Sequence, residues 1–217
     1  IGFGSDVLTL PTSKGSDGEV LKSDGSGALT WGAASGGGIN DLSDALIENN
    51  SIYVGNDPSS TTNDAEQNSG FGINALQAIT TGDYNVGMGF YALQATTTGQ
   101  DNTAFGHSAL SNNIAGNYNT AVGRFALLSN KSNNNTALGN MALKENDTAS
   151  GNTAVGSEAL RRNTTGARNL AIGFGALDVP DTENDNLAIG HNALGGAIAG
   201  GEYNVAIGNF SMDALTS

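Results

Sequence analysis

The feature that most constrains this chain is a glycine recurring at a nearly fixed interval. Gly72, Gly89, Gly106, Gly123, Gly139, Gly156, Gly173, Gly190 and Gly208 follow one another at spacings of 17, 17, 17, 16, 17, 17, 17 and 18 residues. Each closes the first half of the same short phrase, clearest in Asn119-Thr120-Ala121-Val122-Gly123-Arg124-Phe125-Ala126-Leu127. Counting from the Asn as position 0, position 2 is Ala or Gly and position 3 is large and apolar. Ala-Leu fills positions 7 and 8. Stepping back one more period reaches Gly55 in Ser51-Ile52-Tyr53-Val54-Gly55, a degenerate tenth copy. A short period held over most of a chain is the signature of a solenoid, in which each unit buries its apolar residues only against its neighbours.

Neighbouring positions with opposite size demands imply side chains that alternate across a strand. A helix would carry Gly and Asn in every copy, both poor in helix interiors. Collagen needs Gly at every third residue, which is absent. The expectation is an all-β fold: a parallel β-solenoid of about ten 17-residue coils over residues 50–217. Each coil has room for two short strands and two tight turns. The Asn and Gly positions suit the turns, since both tolerate left-handed backbone. Stacked about 4.8 Å apart, the coils would form a rod on the order of 45 Å long. The Ala row, and with it the Leu row, is expected inside. That leaves Val122, Leu138, Val155, Ile172, Ile189 and Ile207 as an apolar stripe outside. An exposed stripe of that size is rare on a soluble monomer, and three rods wrapped around it would bury it. The alternative puts the stripe inside and the Ala row out, giving a monomeric rod.

Residues 1–32 read as a small β module. Val7-Leu8-Thr9-Leu10 is a short strand stopped by Pro11. Glu19–Lys22 and Ala28–Trp31 are hairpin strands around Ser23-Asp24-Gly25-Ser26-Gly27. Residues 33–49 combine a Gly-rich joint with Ile39, Leu42, Leu46 and Ile47 at helical spacing, so a short helix capping the first coil is expected. The chain opens on Ile1 rather than Met, as expected of a fragment or processed product.

With 21 acidic against 8 basic residues the net charge is −13, which argues against a nucleic-acid phosphate backbone as partner. No run is apolar enough to span a membrane, and there is no cysteine. The stretch Asp181–Asp185 and the pair Asp41 and Asp44 read as solvated turns, with cation binding as the alternative. His107 and His191 share position 5 with Ile, Phe, Arg, Asn and Ser in other copies, which marks a surface site rather than a catalytic one. No Ser/His/Asp set and no phosphate loop can be nominated, so no enzyme activity and no cofactor is expected. Thr103, Thr120, Thr136 and Thr153 form a ladder that would suit ice binding, but it breaks at Leu170, Leu187 and Val205.

The phrases Asn169-Leu-Ala-Ile-Gly173, Asn186-Leu-Ala-Ile-Gly190 and Asn204-Val-Ala-Ile-Gly208 resemble the head repeats of YadA-like trimeric adhesins. The resemblance covers roughly residues 50–212. The coil is longer than the usual repeat of that family, and Ala-Leu stands where a Ser is common. Residues 10–31 look like linker modules in tail fibres of tailed bacteriophages. Together the resemblances imply a homotrimeric phage tail fibre or virion appendage. Such a protein would be a rigid structural and adhesive spacer, joined to other fibre or baseplate proteins and contacting a host surface glycan or protein. A bacterial surface adhesin and a polysaccharide-depolymerising spike are the alternatives. The expected structural residues are Asn119, Ala121, Val122, Gly123, Leu127, Asn186, Ala188, Ile189 and Gly190. Tyr84, Tyr91, Tyr118, Phe125 and Tyr203 are candidates for surface recognition; the competing reading makes them staples over neighbouring coils. The irregular loops Asn130–Asn134 and Gly195–Tyr203 are further candidates.

Overall fold

The computed structural model describes residue 12 and residues 19–23, 29–33, 45–55, 62, 64–179, 182–196 and 201–213. The chain divides into two units, Ile1–Ser43 and Asp44–Ser217. In the first, strands β1 (Glu19–Ser23) and β2 (Leu29–Ala33) form an antiparallel hairpin in which Leu21 pairs with Trp31. The expected hairpin is present, and β2 continues through Gly32 and Ala33, the start of the expected joint. The expected strand at Val7–Leu10 lies outside the described residues.

The second unit begins with a correction. Ala45–Glu48 is strand β3, not part of a helix; residues 39–44 lie outside the described residues. Asn49 and Asn50 both take positive φ, 45° and 58°, and turn the chain into β4 (Ser51–Val54). Two left-handed central residues are what a tight hairpin requires, and Asn accepts that conformation. The turn therefore outweighs a helical spacing that rested on four apolar residues. β3 pairs antiparallel with β4 and forms the end of an 11-stranded sheet.

From β4 onward every pairing is parallel and one period apart. The strands are β5 (Ser69–Phe71), β6 (Val86–Met88), β7 (Thr103–Phe105), β8 (Thr120–Val122), β9 (Thr136–Leu138), β10 (Thr153–Val155), β11 (Leu170–Ile172), β12 (Leu187–Ile189) and β13 (Val205–Ile207). They stack in strict order, with Ala104 opposite Ala121 and Ala121 opposite Ala137. No helix occurs among the described residues. This is a parallel β-solenoid: the nine strands β5 to β13 delimit about eight full turns, and β4, the degenerate copy, stacks parallel on β5.

Each turn holds one regular strand of three residues, not two. The opposite side alternates through left-handed residues instead. At position 8, Leu76, Leu93, Leu110, Leu127, Leu143, Leu160, Leu177 and Leu194 all have φ between 50° and 54°. Position 6 repeats the feature at Tyr91, Phe125 and Met141. This side is still tied turn to turn, as in Leu127 N–H to Ala142 O at 3.0 Å. A left-handed Leu costs roughly 1–2 kcal/mol. It is offset here because each of these leucines is wholly buried, a gain of about 1.5–3 kcal/mol per side chain.

The core is the Ala row at position 2 together with the Ala-Leu rows at positions 7 and 8, all essentially inaccessible. Position 3 points outward, so the alternative arrangement with the stripe inside does not occur. Tyr53 occupies position 2 of the degenerate first copy and is fully buried. A Cβ on the next residue in that row, Gly70, would lie 3.1 Å from its ring. Gly87, one turn further, has no such neighbour: a Cβ there meets only ordinary contacts, the nearest at 3.4 Å, and its φ is not positive. Gly87→Ala should therefore extend the Ala row and raise stability by about 0.4–1 kcal/mol, read as a higher thermal midpoint.

Candidate functional site: the outer faces of the solenoid

The interior is tied by polar ladders that aim the outer side chains. The repeat asparagines do not sit in left-handed turns as expected. From Asn68 to Asn186 they are buried, and the left-handed residue is the one before the asparagine: Tyr84, Asp101, Tyr118, Asn134, Arg168, Asp185 and Tyr203 have φ of 55° to 62°. The reason is the amide. Asn119 Oδ1 accepts the backbone N–H of Asn135 at 3.0 Å, while its Nδ2 donates to Ser132 O at 2.8 Å and Asn102 Oδ1 at 3.1 Å. The arrangement recurs from Asn68 to Asn204, and Ser51 Oγ plays the same part for the N–H of Asn68. Buried amides are stable only when paired; the asparagines from Asn68 to Asn169 pair at both ends of the side chain, whereas Nδ2 of Asn186 has no partner among the described residues.

A second inner ladder was not anticipated. At position 11, Asn113, Asn130, Asn146 and Asn163 are buried and linked Nδ2 to Oδ1 at 3.2, 2.8 and 3.0 Å. Asparagine at a fixed offset in four successive copies was the available signal. The ladder ends at Asn163, whose buried Oδ1 has no partner.

The glycines are confirmed as left-handed, with φ of 125° to 144° from Gly72 to Gly208. They also stack backbone on backbone: a Cβ on Gly190 would lie 2.5 Å from Gly208 O.

On the outside, positions 1 and 3 of the nine strands share one sheet face. It runs from Ser69 and Phe71 to Val205 and Ile207, and none of its eighteen residues is charged. Phe105 is 54 % exposed, Leu138 47 % and Ile207 65 %; Val122 and Ile189 are half-buried.

Charge lies instead along the loop side. Arg168 holds Asp185 through two contacts of 2.7 Å, which keeps that carboxyl below its usual range. Arg161 bridges Glu158 and Asp178 at 3.1 Å each. Burial still pushes the Asp178 carboxyl up, against the pull of Arg161. Lys131 pairs with Asp147 at 2.6 Å.

The candidate recognition residues do not form one surface. Tyr84, Tyr118 and Tyr203 are exposed but stand apart in their column, separated by residues such as Asp101 and Asp185. Tyr91 and Phe125 instead join a cluster. Phe90 lies 3.8 Å from Tyr91 and 5.2 Å from His107, ring centre to ring centre; His107 meets Phe125 edge to face at 5.2 Å. The Arg124 guanidinium lies 4.1 Å from the Phe125 ring centre. The pattern recurs five turns on, where Phe174 stacks on His191 at 5.4 Å and His191 meets Phe210 at 4.8 Å. The two histidines are thus surface residues held between rings from the turns before and after. Adding one period to Phe90 and Phe174 would have exposed the pattern in the sequence.

Among the described residues no group of three His, Asp or Glu side chains is placed to hold a metal ion. Asp41, Asp44 and Asp181 lie outside them. No helix among them is long and apolar enough to cross a membrane. No protein-family model, no curated protein and no solved structure matches the chain.

Proposed function

We propose that the repeat region is a self-associating fibre segment in which three copies pack their outer sheet faces around a common axis. On this reading the chain is a structural and adhesive spacer of a virion fibre or appendage, joined to other fibre or baseplate proteins. The observation that carries it is the uncharged outer face. The chain has 29 Asp, Glu, Lys and Arg residues, yet none falls on the eighteen outward positions of β5 to β13. Elsewhere the net negative charge repels other copies, so this face is where like chains can meet. An apolar face of several hundred Å² is uncommon on a monomer and common at interfaces. The repeat phrases that resemble YadA-like trimeric heads favour three copies over two. Stacked glycines and asparagine ladders suit stiffness, since each turn is held by the next.

The test is a charge placed on the face. Ile172 is 38 % exposed in the single chain, so an Asp there is solvated in a monomer and buried without a partner in a trimer, at a cost of several kcal/mol. Ile172→Asp should lower the mass measured by sedimentation from trimer to monomer while the β-signature in circular dichroism persists. Ala115→Asp, on an exposed loop, should leave the mass unchanged. Equal masses for Ile172→Asp and the unaltered chain would exclude this face as the interface.

A further inference from the structure

We infer that the cluster of Phe90, Tyr91, His107, Arg124 and Phe125 is a binding site for an acidic sugar unit, such as a uronic acid residue of a surface polysaccharide. The basis is an unmatched cation. Six of the eight basic residues lie between Arg124 and Arg168. Lys131, Lys144, Arg161 and Arg168 each have a carboxylate within 4 Å. Arg124 and Arg162 are exposed and make no such pair among the described residues, and Arg124 is the one that stands over an aromatic ring. Positions 3 to 8 carry no acidic residue in any turn from Phe71 to Leu143. The first on that side is Glu158, two turns beyond Arg124 and already paired with Arg161. On a strongly negative rod this is a local positive site.

Its geometry suits a carboxylate on a ring. The guanidinium lies over Phe125. A stacked guanidinium is fixed in plane while its edge donors stay free for bidentate binding of a carboxylate. His107, exposed and wedged between Phe90 and Phe125, adds a nitrogen donor one turn away. Phe90, exposed, and Tyr91, half-buried, supply apolar contact for the C–H groups of a pyranose. A polymer is favoured over a peptide because the Phe-His-Phe triplet occurs twice. The copies are five turns apart, about 24 Å along the stack, and a repeating ligand can engage both. The second copy has Asn209 where the first has Arg124, so it is the weaker, charge-independent contact.

The inference deepens the reading of the chain as a fibre that meets a surface, yet its test is separate from the trimer. The full chain is titrated calorimetrically with an oligogalacturonate, with a neutral maltooligosaccharide of equal length, and with oligoglutamate. The oligogalacturonate should bind at least about tenfold more tightly than either of the others. Arg124→Gln should lower that affinity about tenfold or more, the scale of a hydrogen-bonded charge pair. Arg162→Gln, which removes another exposed basic residue, should change it by less than about twofold. Thermal midpoints should match across the variants, since Arg124 is exposed. Equal losses for the two substitutions would mean diffuse attraction rather than a site. Equal binding of oligoglutamate would mean an acidic protein partner. Absence of oligogalacturonate binding by a chain of unchanged mass overturns the site and leaves the trimer standing; a monomer that binds does the reverse.

Discussion

Gly123→Ala should unfold the middle of the solenoid or cost it at least about 3 kcal/mol. Two independent penalties meet at this residue. Its φ of 135° lies where a side chain is strained, at about 1–3 kcal/mol for a sparsely populated backbone region. A Cβ there would also lie 2.6 Å from the carbonyl carbon of Gly139. That neighbour is backbone, tied to the preceding turn by the Gly139 N–H to Val122 O bond of 2.8 Å, so it cannot move aside without breaking the ladder. The contrast with Gly87→Ala is the informative part. Both are glycines of the repeat phrase, at positions 2 and 4 of copies two turns apart, and the effects should have opposite sign. A denaturant midpoint for each variant measures this, and a Gly123→Ala midpoint equal to that of the unaltered chain would refute the stacking account.

Asn119→Leu should be nearly as damaging although it adds apolar volume to the interior. The substitution leaves the Asn135 N–H without its acceptor and removes the donor to Ser132 O. Unpartnered buried groups cost about 1–3 kcal/mol each, so a loss of roughly 2–6 kcal/mol is expected for the two. Asn119→Asp separates the two halves of the amide. It keeps the acceptor for Asn135 but loses the donor and buries a charge, so its stability should fall further as pH rises through the carboxyl range. Chemical denaturation at two pH values reads both. A leucine variant as stable as the unaltered chain would mean the ladder is incidental.

How far the chain could be read before its structure was known depends on the kind of signal each residue carries. The glycine interval and the alternation at Ala121 and Val122 report backbone geometry and burial directly. The solenoid, the parallel stack and the inner Ala and Leu rows were therefore legible. The asparagine was misplaced because its preference for turns and its capacity for buried pairing leave the same mark in one sequence. The left-handed residue is its predecessor, which varies from Tyr118 to Arg168 and so carries no composition signal. The left-handed leucines were invisible for a related reason, since nothing in Leu127 announces a backbone that tertiary packing imposes. The segment of β3 carries a helical signal because Leu46 and Ile47 complete a spacing begun upstream, and the Asn49-Asn50 turn overrides it. At the candidate site, Tyr91 and Phe125 were found as aromatic exceptions in the repeat. His107 and Arg124 carry no such signal, because their column is variable and the rings around His107 come from other turns.

The central claim is that the uncharged sheet face is covered by copies of the same chain. It is tested most directly by the molar mass of the full chain in multi-angle light scattering across a dilution series. The account predicts a mass three times the 21.8 kDa of one chain, held over the series. A mass of one chain at every concentration would contradict it.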